Sequence, residues 1–306
     1  MSTPPCTPLL DVKDLRKTYT SRQGLFGRAT SEVRAIDGIS FHIGHKEILG
    51  LVGESGSGKS TTGRVVLRLE EPTGGEVFFE GNRITDLPPL ELKPYRRQMQ
   101  VVFQDPYAAL NPRMTVGDFV AEPLIVHHLA DSRTERQDRV AELFRQVGLD
   151  PAFMARYPHE FSGGQRQRVN IARAIAMRPR LIVADEPITA LDVSIQAQIV
   201  NLFQDLQQEL GMAYLFIAHD LSMVRYLCHR VAVMLRGRIV EMAPTEAIFT
   251  DPRHPYTRSL LSAIPVPKPA IERQRHPIPF DYEREKPAPD ATLQEVAPDH
   301  FVLISP

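Results

Sequence analysis

Cysteine is nearly missing from this chain. The two thiols among 306 residues, Cys6 and Cys228, allow neither a disulfide framework nor a metal-ligand spacing, which predicts a reducing, cytosolic setting. Long apolar runs are missing too, since none approaches the ~18 residues that a bilayer span needs. The first residues, Met1-Ser2-Thr3-Pro4-Pro5, lack the basic-then-apolar order of a secretory leader. Any work at a membrane is therefore expected to depend on other subunits for the spanning. Net charge is only −1, so no overall field is available to hold a polyanion, and nucleic acid is not expected as a partner. No internal repeat is visible. What remains is an ordinary globular composition, 42% hydrophobic, long enough for one large α/β domain with an appendage or for two small domains.

Against that background one stretch stands out, Gly53-Glu54-Ser55-Gly56-Ser57-Gly58-Lys59-Ser60-Thr61. The apolar run Ile48-Leu49-Gly50-Leu51-Val52 before it reads as a buried strand, and Thr62 to Leu69 after it reads as a helix. Strand, glycine loop, Gly-Lys-Ser and helix together predict a phosphate-binding loop for a nucleoside triphosphate. Glycines let backbone N–H groups converge on an anion with no Cβ in the way. The following helix turns its unpaired N–H groups and positive dipole end to the same point. Lys59 can reach the β- and γ-phosphates, and the Ser60 hydroxyl can ligate Mg²⁺. A glycine-rich turn that binds nothing would explain the glycines but not the filled Lys and Ser positions.

The rest of the chain divides by pattern. Leu9 to Leu15, Lys17 to Thr20, Val33 to Ile43, Glu76 to Phe79 and Met99 to Phe103 read as strands, with Ser21 to Glu32 as an exposed loop. From about 106 to 177 the period turns helical, over Thr115 to His128, Thr134 to Val147 and Gln165 to Met177. The α/β pattern then resumes. Leu181 to Ala184 reads as a central strand, Val193 to Glu209 as a helix, Ala213 to Ala218 as a strand and Leu221 to Leu227 as a helix. Arg230 to Leu235 and Arg238 to Ala243 follow as strands. Nine of the 26 prolines fall in the last 42 residues, which predicts an extended or loosely packed tail.

Two further stations carry chemistry. Leu181-Ile182-Val183-Ala184-Asp185-Glu186 is a buried strand ending in two acids. Asp185 can hold Mg²⁺ through its water shell, and Glu186 can polarise a water for in-line attack on the γ-phosphorus. Taken alone, the pair could equally cap a strand end. Phe161-Ser162-Gly163-Gly164-Gln165 leads into a helix, and Ser162 with Gln165 fits a capping box that any helix could use. The two glycines nevertheless leave bare N–H groups, a second phosphate-sized site with no lysine and no magnesium ligand. Such a half-site makes sense when it closes over a nucleotide held by another subunit.

Ser162-Gly163-Gly164-Gln165, lying between a phosphate loop and Asp185-Glu186, resembles the signature of ATP-binding cassette (ABC) proteins. The resemblance implies that Gln104, after Val101-Val102-Phe103, is the glutamine that contacts Mg²⁺ and the attacking water. It implies that Ala190-Leu191-Asp192 is the loop through which two subunits sense each other. His219, after Leu215-Phe216-Ile217-Ala218, takes the part of the switch histidine on the γ-phosphate, and Tyr19 that of the aromatic residue stacked on adenine. Singly these are unremarkable: Gln104 and His219 are polar residues at strand ends, Asp220 fits a helix cap, and Tyr19 is a strand aromatic. As an ordered set they span roughly residues 9–245. Three further stretches resemble the oligopeptide/dipeptide importer branch. They are Phe103-Gln104-Asp105-Pro106-Tyr107-Ala108-Ala109-Leu110-Asn111-Pro112-Arg113-Met114, Ala190 to Gln198, and His254-Pro255-Tyr256-Thr257. Ile188 and Thr189 depart from the Thr and Ser common in the family. No cysteine follows Cys228, so the iron–sulfur centre of some relatives is not expected here.

The resulting expectation is an α/β fold: a P-loop NTPase core whose mixed sheet carries an antiparallel β subdomain. Residues 1–264 form the nucleotide-binding domain, with a helical subdomain at about 106–177, and 265–306 form a short proline-rich extension. The chain is expected to bind ATP and Mg²⁺ through Gly53 to Thr61, Tyr19, Gln104 and Asp185, and to hydrolyse ATP with Glu186, His219, Gln104 and Lys59. Ser162 to Gln165 and Asp192 serve a nucleotide at a subunit boundary. The expected partners are a second ABC ATPase (a related one, or a copy), two transmembrane permeases and a solute-binding protein. The setting is the cytoplasmic face of the inner membrane, and the cargo peptides, with nickel or another small solute as the alternative. A soluble, non-transport ABC ATPase would share the nucleotide stations. A P-loop kinase or GTPase would leave 162–165 and 219 without roles.

Overall fold

Leu10, Val12 and Leu15, with Ile36, Ile39, Phe41 and Ile43, supply the buried face of a long antiparallel hairpin, β1 (Leu10–Gln23) with β2 (Ala29–Ile43), paired from Leu10 opposite Ile43 to Gln23 opposite Ala29. The structure is a computed structural model that describes residues 7–23, 29–219, 221–264, 276–288 and 290–305. The hairpin corrects the expected loop at Ser21 to Glu32: pairing continues through Ser21 opposite Ser31, and only 24–28 lie outside the described residues. The two short strands expected before it are one, bent by register shifts between Val12 and Leu15, Leu15 and Arg16, and Lys17 and Thr18.

The all-buried β3 (Ile48–Val52) runs into the glycine loop and α1 (Lys59–Val66). β4 (Gly74–Phe79) and β5 (Asn82–Arg83) complete an antiparallel sheet in the order β2-β1-β4-β5. Next comes α2 (Pro89–Gln98), then β6 (Met99–Val102), α3 (Val116–Val126), α4 (Arg133–Gln146) and α5 (Gly163–Ile175). Thr115 and Ser132 cap α3 and α4 by accepting the N–H groups of Asp118 and Glu135. The central strand β7 (Leu181–Asp185) and α6 (Val193–Leu210) follow, then β8 (Ala213–Ala218), α7 (Leu221–Leu227), β9 (Arg230–Leu235) and β10 (Arg238–Pro244). Asp220, read from the sequence as the cap of α7, lies outside the described residues. The chain ends in α8 (Thr245–Thr250), α9 (Pro255–Ser262), β11 (Thr292–Ala297) and β12 (His300–Ile304).

Two compact units result. One holds Asp86–Leu215 with Gly44–Glu47 and a short segment ending at Leu9. Within it α3, α4 and α5 pack on Val120, Leu124, Phe144, Val147 and Val169, all almost fully buried. β6 and β7 pair in parallel, from Met99 opposite Leu181 to Val102 opposite Ala184. The other unit holds Leu10–Ile43, Ile48–Thr85 and Phe216–Pro306. There β3 pairs in parallel with β9, β9 antiparallel with β10, β10 with β12, and β12 with β11. The tail expected to be extended therefore adds two ordered strands. Glu241 of β10 lies opposite Val302 of β12, and His300 is buried. No helix among the described residues is long and apolar enough to cross a membrane.

Candidate functional site

The phosphate loop leaves the carboxyl end of β3, the edge at which parallel sheets present ligands. Two of its glycines are required by space as well as by backbone angle. A Cβ on Gly53 (φ 153°) would sit 2.1 Å from the Met234 carbonyl oxygen, and one on Gly58 (φ 106°) 2.1 Å from that of Ala35. At Gly56 (φ 79°) a Cβ would meet nothing within 4 Å, so the loop is crowded behind and open in front. Lys59, 3% exposed, donates from Nζ to the carbonyls of Gly53 at 2.8 Å and Glu54 at 2.9 Å. The lysine is thus held across the loop mouth, and the Ser57 hydroxyl beside it is buried without a hydrogen-bond partner. α1 has no side-chain cap and no acid in its first turn, so its positive end is left for an anion.

In the same unit the Tyr19 hydroxyl bonds the Glu70 carboxylate and the Thr61 side chain, which places an exposed ring beside the start of α1. Burial of the hydroxyl, then Glu70, push this phenol's pKa up. The Lys17 ammonium lies 5.1 Å from its ring centroid. His219 leaves β8 exposed to solvent.

The other unit brings the two acids and the glutamine together. Because Val102 lies opposite Ala184, Gln104 and Glu186 emerge two residues later on the same edge. The Gln104 amide nitrogen donates to the Glu186 carboxylate at 3.0 Å, which leaves the side-chain carbonyl oxygen turned elsewhere as a possible ligand. Thr189 Oγ1 donates to the same carboxylate oxygen of Glu186 at 3.3 Å. Glu186 has φ 46°, a left-handed backbone that a glutamate rarely adopts and that aims this carboxylate. Asp185 beside it is 5% exposed. Ser60, Gln104 and Asp185 all offer oxygen, the donor type that Mg²⁺ takes.

Ser162 and Gln165 form the reciprocal capping box at the start of α5: Ser162 N–H to Gln165 Oε1 at 3.0 Å, Gln165 N–H to Ser162 Oγ at 3.3 Å. A Cβ on Gly164 would be 2.5 Å from Ile195, whereas one on Gly163 would meet nothing nearer than 3.5 Å. Asp192 precedes α6 at the capping position, yet its side chain makes no capping bond.

Several residues on the site had no assigned part in the sequence. Thr189 stood out only as a departure from the family pattern. Gln196 donates to the carbonyls of Ile188 at 3.2 Å and Leu191 at 3.0 Å, bracing the Ala190-Leu191-Asp192 loop. The Arg166 guanidinium lies 4.0 Å from the Tyr107 ring centroid and so ties the segment after Gln104 to α5. Tyr256 accepts the Glu54 N–H at 3.0 Å across 202 positions, a contact with no local signal. A groove of about 920 Å³ walled by Lys93, Arg97, Arg139 and Arg178 contains none of the expected nucleotide-binding residues.

Two families and several known proteins match this chain. The family described as ABC transporter matches residues 36–189, and the family described as oligopeptide/dipeptide transporter, C-terminal region, matches 240–287. The Bacillus subtilis (strain 168) oligopeptide transport ATP-binding protein OppF is 52% identical over 298 residues, covering 96% of this chain and 95% of that protein. The glutathione import ATP-binding protein GsiA of Salmonella paratyphi A is 51% identical over 301 residues, 96% of this chain but 48% of its own length. This chain therefore spans about half of that relative. A dimeric ATP-binding cassette solved in a post-hydrolysis state with ADP and Pi has TM-score 0.69 and 32% identity, covering 77% of this chain and 98% of that one.

Proposed function

Because this chain belongs to the ABC transporter family, we propose that it binds and hydrolyses ATP to energise import of short peptides across the cytoplasmic membrane. The branch-specific C-terminal region and relatives named for oligopeptide and for glutathione, itself a short peptide, support that cargo class. In this reading 1–264 is the nucleotide-binding domain and 265–306 its extension. The chain works as a peripheral subunit at the cytoplasmic face, paired with a second ATPase and docked on two permeases that a solute-binding protein loads.

The roles follow from the chemistry of each group. Gly53 to Thr61 cradle the triphosphate with backbone N–H groups, Lys59 neutralises the β- and γ-phosphates, and the Tyr19 ring stacks on the base. Mg²⁺, when bound, would screen phosphate charge, and the oxygens of Ser60, Gln104 and Asp185 would hold it. Glu186 accepts the proton of the attacking water, aimed by Gln104 and Thr189, and His219 fixes the γ-phosphate. Ser162 to Gln165, with Asp192, act on the nucleotide of the facing subunit. The chemistry asks for little beyond positioning and charge stabilisation, so closure of two subunits around ATP supplies most of the rate. Loss of the γ-phosphate reopens them and moves the permeases.

The observation that carries the reading is Lys59 clamped to the Gly53 and Glu54 carbonyls in a loop whose crest, Glu54 to Gly56, is exposed. Lys59→Ala removes that cation. ATP affinity in equilibrium titration should fall about 100-fold, in line with the loss of a charge-assisted phosphate contact; full affinity in the variant would contradict the reading.

A further inference from the structure

The C-terminal segments do more than lengthen a sheet. α9 opens on His254-Pro255-Tyr256, and the Tyr256 ring, 1% exposed, packs on Phe280 with centroids 5.2 Å apart. Its hydroxyl oxygen accepts the Glu54 N–H at 3.0 Å. That N–H belongs to the same peptide as the Gly53 carbonyl, which accepts the Lys59 ammonium at 2.8 Å. One peptide plane is therefore held at both edges, by the lysine of the loop and by a tyrosine from far along the chain.

A buried carboxylate sets the tyrosine in place. Glu241, 0% exposed, accepts the N–H groups of Arg253 at 2.7 Å and His254 at 3.0 Å and bonds His300 Nε2 at 2.7 Å. His254 Nδ1 then accepts the Tyr256 N–H at 3.1 Å. A carboxylate satisfied this fully inside the protein is a rigid peg for the first turn of α9.

The extension, which backs Tyr256 through Phe280, is linked to the loop by a second route. The Gly237 N–H, in the β9–β10 turn, donates to the Ser57 carbonyl at 2.8 Å. The arginines on either side of that glycine are held from the C-terminal side. Arg236 stacks 3.6 Å from the Tyr282 ring centroid, and Arg238 donates to the carbonyls of Ala288 at 3.3 Å and Ala291 at 2.5 Å.

We propose that Tyr256 is a positioning residue for nucleotide binding, and that through it and the Arg236-Gly237 turn the C-terminal extension sets the affinity of the phosphate loop. Tyr256 reaches no phosphate itself. It fixes the Gly53–Glu54 peptide, and that peptide fixes where Lys59 rests and where the neighbouring N–H groups point. The proposal rests on the nucleotide-binding reading above.

The test is Tyr256→Phe in the full chain, which keeps the ring against Phe280 and removes only the acceptor for the Glu54 N–H. The ATP Kd from equilibrium titration, and KM for ATP in hydrolysis, should each rise about three- to tenfold, with kcat at saturating ATP within about twofold. A ring that only packs would lower Tm while leaving the Kd of folded protein untouched, and that outcome overturns the proposal. Arg236→Ala, which leaves α9 alone, should raise Kd about two- to threefold. It also decides the matter if Tyr256→Phe fails to fold, since an unchanged Kd there removes the extension from the loop. Absence of ATP binding by the unaltered chain would instead bring down the nucleotide reading, and this proposal with it.

Discussion

Two helices of this chain begin on glycines, one in each compact unit, and they are built in opposite ways. α1 starts from a left-handed Gly58 with no capping side chain, and it carries Lys59 in its first turn. α5 starts from Ser162, and its box with Gln165 already satisfies two backbone donors. Crowding differs as well: Gly53 and Gly58 are forced by carbonyls 2.1 Å from where a Cβ would sit, while Gly163 has room for one. A helix start that is uncapped, cationic and open is an anion site by itself. A start that is self-capped, and whose first-turn cation Arg166 is stacked on Tyr107, adds to a charge supplied from elsewhere. Among the described residues nothing crowds Gly163, which fits the proposal that Ser162 to Gln165 act on a nucleotide outside their own chain.

The widest split between the units should come from Glu186→Gln. Turnover should fall about 10²–10⁴-fold while ATP affinity stays intact, because the acid lies in the unit that does not carry the phosphate loop. Unchanged steady-state hydrolysis would take Glu186 out of the chemistry. Gly58→Ala should follow, costing about 3 kcal/mol or more in denaturant unfolding and abolishing nucleotide binding, since the added Cβ meets main chain. A variant as stable as the parent would show that the loop's crowding is not structural. The mildest is Gly163→Ala: unfolding free energy within about 0.5 kcal/mol of the parent, and turnover of the assembled transporter at least about tenfold lower. Full turnover would reduce Ser162 to Gln165 to an ordinary helix cap.

Legibility followed sequence distance. β3, β8, α7 and β9 lie where the periodicity put them, because their apolar runs are short, pure and bounded by turn residues. α2 was hidden by Pro88, Pro89 and Pro94: proline suits the first turn, yet Pro94 falls inside the helix, where composition argues against one. The hairpin of β11 and β12 was hidden for a related reason. Its strand Thr292–Ala297 is mostly exposed and polar, and what orders it is long-range, the pairing of β12 with β10 and the buried His300–Glu241 contact. The Ser21 to Glu32 stretch looked like a loop because charges and glycines there outweigh a pairing set by distant register. At the site the residues proposed for direct chemistry carry their own signals in the sequence. Their supports, Thr189, Gln196 and Tyr256, do not, since each acts on a neighbour brought near only by folding.

The stacking of Arg166 on Tyr107 carries a consequence for communication. It couples the strand exit that holds Gln104 to the first turns of α5. In the mechanism proposed above, a shift of Gln104 would be felt at the start of α5 through that ring contact. On that reading the two sites of a pair would be linked, in each copy, through one aromatic ring and one guanidinium.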